Sequence, residues 1–183
     1  MQKLFIGLII INSVVLLSAC TSGWSRAAML SLDDTKKEMT IQFEEIVEAL
    51  NNEDKEALKI KFSEQTIKEE EDFDENIESL YNFIQGDIVS WEKIVGAGTS
   101  ESIDRGEKVK DVNSYFYVNT DDEKYYFLLD TRLIDTANPD KVGISLLLVV
   151  RAVDREKIYD DSQKILFDGD EELQRTGIYI PLP

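Results

Sequence analysis

The chain has 183 residues, 43% of them hydrophobic, with 37 acidic against 20 basic side chains, one cysteine and no histidine. A net charge of −17 argues against a nucleic-acid partner, because backbone phosphates need Lys and Arg opposite them. Without histidine there is no Ser-His-Asp or Cys-His catalysis and no usual proton carrier near neutral pH, and a lone cysteine leaves no internal disulfide.

The first residues read as an export signal. Met1-Gln2-Lys3 is a short basic start, and an apolar run of 14 residues follows from Leu4 to Leu17. It ends at Leu17-Ser18-Ala19-Cys20, a small-residue cleavage site directly before the only cysteine. The run is shorter than the roughly 20 residues needed to span a membrane as a helix. Residues 1–19 are therefore expected to be a lipoprotein signal peptide and Cys20 the lipidated new N-terminus. The expected location is extracytoplasmic, anchored to the cell membrane by lipid on Cys20. Stable anchoring takes more than one acyl chain; bacterial lipoproteins resemble that case, with a diacylglyceryl group on sulfur and often an acyl group on the amine. Removal of the first 19 residues, and with them the one charge of Lys3, leaves 164 residues and takes the net charge to −18. That is one domain's worth of chain. An acidic surface of this kind keeps an exported domain soluble.

Residues 20–32 read as the lipidated tether, with Trp24 an isolated aromatic, and 33–183 as a single domain. Asp33 and Asp34 open a first helix whose apolar stripe is Met39, Phe43, Ile46, Val47 and Leu50. Asn51-Asn52 breaks it. Glu53-Asp54 starts a second helix with Ala57, Leu58 and Phe62 inward, its acids favoured by the helix dipole. Ser63 is placed to cap a third helical region, acidic at Glu69-Glu70-Glu71-Asp72, with Phe73, Ile77, Leu80 and Ile84 as its stripe and Gly86 as its stop.

After Asp87 the period becomes two. Strands are expected at Ile88 to Val95, Val109 to Val118, Lys124 to Ile134 and Val142 to Val153. They are separated by a loop at Gly96–Ser100 and turns at Asn119–Asp122 and Asn138–Asp140. Short connections favour an antiparallel meander. The tail Gly177-Ile178-Tyr179-Ile180-Pro181 is expected to dock on the domain. Helices first and strands afterwards give an α+β class, with helices packed on a curved antiparallel sheet of about four strands. The expected core includes Phe43, Val47, Leu50, Phe62, Leu80, Phe127, Leu146 and Leu148.

Two resemblances bear on the fold. The stretch from Ile46 through Asp54-Lys55-Glu56-Ala57-Leu58 to Phe62-Ser63 resembles the start of nuclear-transport-factor-2-like domains. Three others are similar to a lipoprotein family of Gram-positive bacteria known as a domain of unknown function: Phe83-Ile84-Gln85-Gly86-Asp87-Ile88-Val89-Ser90, Asp135-Thr136-Ala137-Asn138-Pro139-Asp140-Lys141-Val142-Gly143, and Gly177-Ile178-Tyr179-Ile180-Pro181. The resemblance covers about residues 38 to 181. It implies a cone-shaped sheet closed on one side by helices, and it brings no activity, ligand or site residue with it. Domains of such a fold include binders and catalysts, so fold does not choose between them.

The candidate pocket residues are Trp91, Tyr115, Tyr117, Tyr126, Asp130 and Arg132. Alternation puts Tyr126, Leu128, Asp130 and Arg132 on one face of their strand. Lining a cone, Asp130 would be a buried base with a raised pKa. The simpler reading is an Asp130–Arg132 pair on a solvent face, which would lower that pKa. The aromatics read either as a pocket with polar tips or as amphipathic cover for the sheet. Asp121-Asp122-Glu123, Asp160-Asp161 and Asp168-Gly169-Asp170 suit calcium by type but not by spacing, and read as solvated turns. No metal site and no cofactor is expected. The expected function is a cell-surface lipoprotein with a non-catalytic binding or interaction domain, its ligand not named by the sequence. The alternative is a small-molecule enzyme of the isomerase or cyclase type that uses carboxylate and tyrosine in the cone.

Overall fold

The computed structural model describes residue 31 and residues 34–94, 98–159 and 176–181. The expected signal peptide and tether, with Cys20 and Trp24, and the acidic pairs after Tyr159 lie outside the described residues. The chain falls into two compact units, one up to Ile41 and one from Gln42 onward. In the first, residues 34–41 are helical, Met39 is buried, and the Thr40 hydroxyl donates to the Lys36 carbonyl over 2.8 Å.

The second unit opens with the helical residues 42–51, here α1, which bury Phe43, Ile46, Ala49 and Leu50. Glu53 ends it in the left-handed region, at φ 52°, and the Asp54 and Glu53 amides close back onto the Ala49 and Leu50 carbonyls. That is the Schellman pattern with glutamate where glycine is usual. The Asp54 carboxylate then accepts from the Ala57 amide and starts α2, Lys55–Lys59. Ser63 caps α3, Glu64–Glu69, its hydroxyl oxygen accepting from the Thr66 amide. The expected single third helix is two helices. The chain leaves helical geometry at Glu70, and α4 runs Phe73–Phe83. Four adjacent acids repel one another, and the split puts them at a junction rather than on one continuous face.

Six strands follow: β1 Ile88–Lys93, β2 Thr99–Asp104, β3 Glu107–Thr120, β4 Lys124–Asp135, β5 Gly143–Arg151 and β6 Gly177–Tyr179. The sheet is curved, unclosed and mostly antiparallel, in the order β1-β3-β4-β5-β6. β2 shares with β1 the same long neighbour β3. β1 pairs with residues 116–120 of β3 and β2 with residues 107–112. β6 lies parallel to β5, so the tail docks as expected, but as a strand.

Both sheet faces are covered. Toward the helices lie Phe116, Val118, Tyr125, Phe127, Leu129, Leu147 and Val149, packed with α1, α2 and α4. Phe43 stacks flat on Phe116, its ring centroid 3.6 Å away, and meets Trp91 edge-on. Away from the helices lie Tyr126, Leu128, Leu146, Leu148 and Val150, under Ile158 of the 3-10 helix Ala152–Ile158 and Tyr179 of β6. Of the expected core, Val47 is half-buried and the rest are buried, but Leu146 and Leu148 belong to this second layer. Among the described residues no helix is long and apolar enough to cross a membrane.

Candidate functional site

β3 and β4 are antiparallel neighbours, with Asn113 opposite Asp130, Tyr115 opposite Leu128 and Tyr117 opposite Tyr126. Partners in register share a face, so Asn113, Tyr115, Tyr117, Tyr126 and Asp130 all point away from the helices. The Tyr115 and Tyr126 rings are nearly parallel with centroids 6.3 Å apart, and Tyr117 lies 5.8 Å from Tyr126. The segment after β5 closes over them. The Tyr159 hydroxyl is 2.7 Å from that of Tyr126, and the Arg155 guanidinium stands 5.2 Å above the Tyr126 ring and 5.9 Å from that of Tyr159. Arg155 also donates to the Tyr117 hydroxyl over 3.4 Å, and its Nε is buried without a hydrogen-bond partner. Lys124 caps the open side of Tyr117 at 4.3 Å.

The Asp130 carboxyl accepts a hydrogen bond from the Asn113 side-chain amide over 2.5 Å. Burial pushes its pKa up to about 6; the Asn113 bond works the other way and the Asp111 charge adds to the rise. Burial likewise raises the Tyr115 phenol, helped by Tyr159 and Asp130. Tyr126 is raised further, by burial and then by its bond to Tyr159, against a smaller opposing pull from Arg155. Both phenols are therefore neutral at physiological pH.

The expected Asp130–Arg132 pair is not formed. Arg132 sends its Nε and Nη2 to the two oxygens of Asp111, over 2.7 and 3.3 Å, and its Nη1 to Asp135 over 3.0 Å. The β3–β4 register shifts by one residue, Lys110 facing Ile134 and Asp111 facing Arg132, which sets Asp111 opposite Arg132. Cross-strand partners are closer than residues two apart along a strand, so the carboxylate across the ladder wins. The expectation of a lowered Asp130 pKa falls with the pair. Trp91 also leaves the candidate set. It pairs with Val118 and packs edge-on against Phe43 and Phe116, on the helix side of the sheet. The structure adds Asn113, Arg155 and Tyr159. Arg155 and Tyr159 stand in a polar, aperiodic stretch where no sequence pattern marks them.

The acidic turn Asp121–Glu123 is used structurally. Asp121 accepts from the Asp87 amide, and the Thr120 hydroxyl accepts from the Asp122 and Glu123 amides. Among the described residues no three carboxylate or cysteine side chains gather into a metal site. A second concave feature lies between α4 and β6, a cleft of about 530 Å³ with Asn76, Ser79 and Asn82 on one wall and Thr176, Ile178 and Ile180 on the other.

Residues 45–152 match the family model described as "Domain of unknown function (DUF5104)". The chain belongs to this family. No curated protein matches the chain. The DUF5104 match runs from within α1 to just past β5, so it contains Tyr115, Tyr117, Tyr126, Asp130 and Arg132. It ends before Arg155 and Tyr159, and it holds the α4 wall of the cleft but not the β6 wall.

Proposed function

We propose that this protein is an extracytoplasmic lipoprotein of Gram-positive type, held to the membrane through Cys20 and the tether 20–32. Its domain, a nuclear-transport-factor-2-like variant, binds a ligand without transforming it. The observation that carries the binding reading is the tyrosine face. Four tyrosines, one arginine and one carboxyl share one side of the sheet, and their polar tips are held by each other. Tyr126 is engaged by Tyr159, Tyr117 by Arg155 and Asp130 by Asn113. Tyr126 is buried beneath the others, and the half-buried rings of Tyr115, Tyr117 and Tyr159, fixed in this way, offer rigid contact area at low entropic cost. A small-molecule screen by NMR should find compounds that bind saturably and shift Tyr115, Tyr117 and Tyr126 while remaining chemically unchanged.

The raised pKa of Asp130 supports a second reading, a general base in an isomerase- or cyclase-like reaction. Conversion of a bound compound that Asp130→Asn abolishes, with binding retained, would replace the first reading by the second. The anchor rests on the apolar run ending at Leu17-Ser18-Ala19-Cys20. Cys20→Ala should move the protein from the membrane to the soluble fraction or leave it unprocessed. Labelled fatty acid that fails to enter the wild-type chain would end the anchor proposal.

A further inference from the structure

Asp130 stands on the tyrosine face with no counter-ion among the described residues. The cations of that face, and Arg132 beside it, are committed to other carboxylates. Arg132 holds Asp111 and Asp135, Lys124 holds Glu92 over 3.1 Å and Arg155 holds Glu156 over 3.3 Å. The side chain that does bond the Asp130 carboxyl is Asn113, a neutral amide, and it takes one oxygen, Oδ1. Oδ2 is left as an acceptor. A partly buried carboxylate is costly unless it is paired. Burial pushes its pKa up to about 6, so at pH 7.5 the group is ionised and its charge unanswered.

The surroundings of this carboxyl are apolar and partly open. Asn113 faces Asp130 and Tyr115 faces Leu128, so Tyr115 is the diagonal neighbour of Asp130 across the β3–β4 ladder. Leu146 faces Asp130 from β5. Leu128 and Leu146 are buried, whereas Asn113, Tyr115 and Asp130 are half-buried. An apolar floor is thus rimmed by a ring and a carboxyl that both reach solvent. Further along the face the rings already hold cations. The Lys124 ammonium lies 4.3 Å from the Tyr117 centroid, and the Arg155 guanidinium 5.2 Å from that of Tyr126. Tyr115, the ring beside the carboxyl, carries none from the described residues.

We propose that the ligand of the tyrosine face is a small organic ammonium with an apolar body, its N–H donating to the second carboxyl oxygen of Asp130 and its body lying against Tyr115 and Leu128. This ligand class rests on the binding reading of the same face. One remaining oxygen suits a compact ammonium, whereas a guanidinium takes both oxygens of a carboxylate. A divalent metal ion takes several oxygen ligands, and no group of carboxylates among the described residues supplies them. An anion would meet like charge from Asp130 and from Asp111 behind it.

The test titrates the full-length chain, in micelles of a non-ionic detergent at pH 7.5, with three probes that share one body: benzylammonium, benzyl alcohol and benzoate. NMR reads binding from the Tyr115 ring and from the Leu128 and Leu146 methyl groups, in wild type, Asp130→Asn and Tyr115→Leu. Benzylammonium should bind saturably and about tenfold more tightly than either of the others, the effect of one charge-assisted hydrogen bond. Asp130→Asn should weaken benzylammonium by about the same factor and erase its advantage over benzyl alcohol. Tyr115→Leu should weaken the ammonium too, because the ring face is lost. Circular dichroism checks that both variants fold, and the comparison of probes on the wild type decides without them. Equal affinity for benzyl alcohol or benzoate at the same signals, or benzylammonium binding that Asp130→Asn leaves unchanged, overturns the ammonium assignment while the face remains a binding site. Silence from all three probes overturns it as well, and the binding reading then stands or falls by the wider screen alone.

Discussion

Asp130 is the residue whose environment most alters its chemistry. Its neighbours are a neutral amide and aromatic rings, while the guanidinium two positions along the strand is committed to Asp111 and Asp135. The folded protein therefore holds the Asp130 proton more tightly than the unfolded chain does. A carboxyl with a raised folded pKa contributes its stability in full below the unfolded value, near 4, and loses it as pH rises through the folded value, about 6. Above that pH the native state carries an ionised, largely buried carboxylate. Asp130→Asn removes the charge and keeps an oxygen to accept from Asn113. The variant should match wild type in urea denaturation at pH 4 and exceed it by about 2 kcal/mol at pH 8. A difference that stays constant between those pH values would show that burial does not set the Asp130 pKa. Asp135 behaves oppositely. Burial opposes its ionised form, but the Asn138 amides and Arg132 outweigh that and hold its carboxyl below the ordinary range. Its contribution is present above the unfolded pKa and is lost on acidification.

At the scale of elements, the helical face and the sheet are joined by backbone between α2 and β5. The Ser63 amide donates to the Ile144 carbonyl over 3.0 Å, and the Ile144 amide donates to the Lys61 carbonyl over 2.9 Å, so the link between α2 and α3 is stitched to the start of β5. Gly143 makes this approach possible. It sits at φ 132°, and a Cβ on it would fall 2.6 Å from the Ser63 nitrogen and 2.9 Å from the Phe62 carbonyl carbon. Those are backbone atoms and cannot swing aside. Gly143→Ala should lower stability by about 2–4 kcal/mol, read from the urea midpoint at unchanged slope. The matched change at Gly106, whose φ is 91° with no atom near an added Cβ, should cost about 1 kcal/mol of backbone strain. Equal losses would mean that the stitch is not tight. The helix stripes, the Ser63 cap and four of the strands, β1, β3, β4 and β5, are legible in the sequence from their apolar and β-forming residues. β2 is not. All six of its residues are exposed, so no alternation marks it, and it exists because β3 extends beyond β1 and offers partners. The candidate site divides in the same way. Alternation along β4 correctly unites Tyr126 with Asp130, but register across strands decides that Trp91 faces the helices and that Arg132 meets Asp111. Arg155 reaches Tyr126 only through the 3-10 helix, which has no apolar period to announce it.

For the molecule as a whole, charge is the dominant feature. With 37 acids against 20 bases, a large share of the carboxylates has no cation to pair with. Apart from Arg132–Asp135, whose carboxylate is buried, most ion pairs among the described residues involve exposed or half-exposed side chains, such as Lys124–Glu92 and Arg151–Glu123. Pairs of this kind contribute at most about 1 kcal/mol each. Salt acts in two opposing ways: it weakens the pairs, and it screens the repulsion among the surplus acids over a Debye length of about 10 Å at 0.1 M. With a net charge of −17 on one small chain, repulsion outweighs the pairs, because folding brings all of those charges closer together. Raising NaCl from about 10 mM to about 200 mM should therefore raise the urea midpoint, with the slope unchanged. MgCl2 at the same ionic strength should do the same, because screening follows ionic strength rather than the identity of the cation. A midpoint that falls with NaCl would mean that the surface pairs outweigh the repulsion. A midpoint that rises far more in MgCl2 would reveal a divalent-cation site. The same surplus acts at the membrane. A domain this acidic is repelled by anionic lipid, so a lipid on Cys20 would hold it close while its own charge keeps it off the surface. Liposome binding by the lipidated chain should therefore persist in high salt, whereas binding by Cys20→Ala should be absent at every ionic strength. Retention of the variant on anionic vesicles at low salt would show that repulsion does not keep the domain off the membrane.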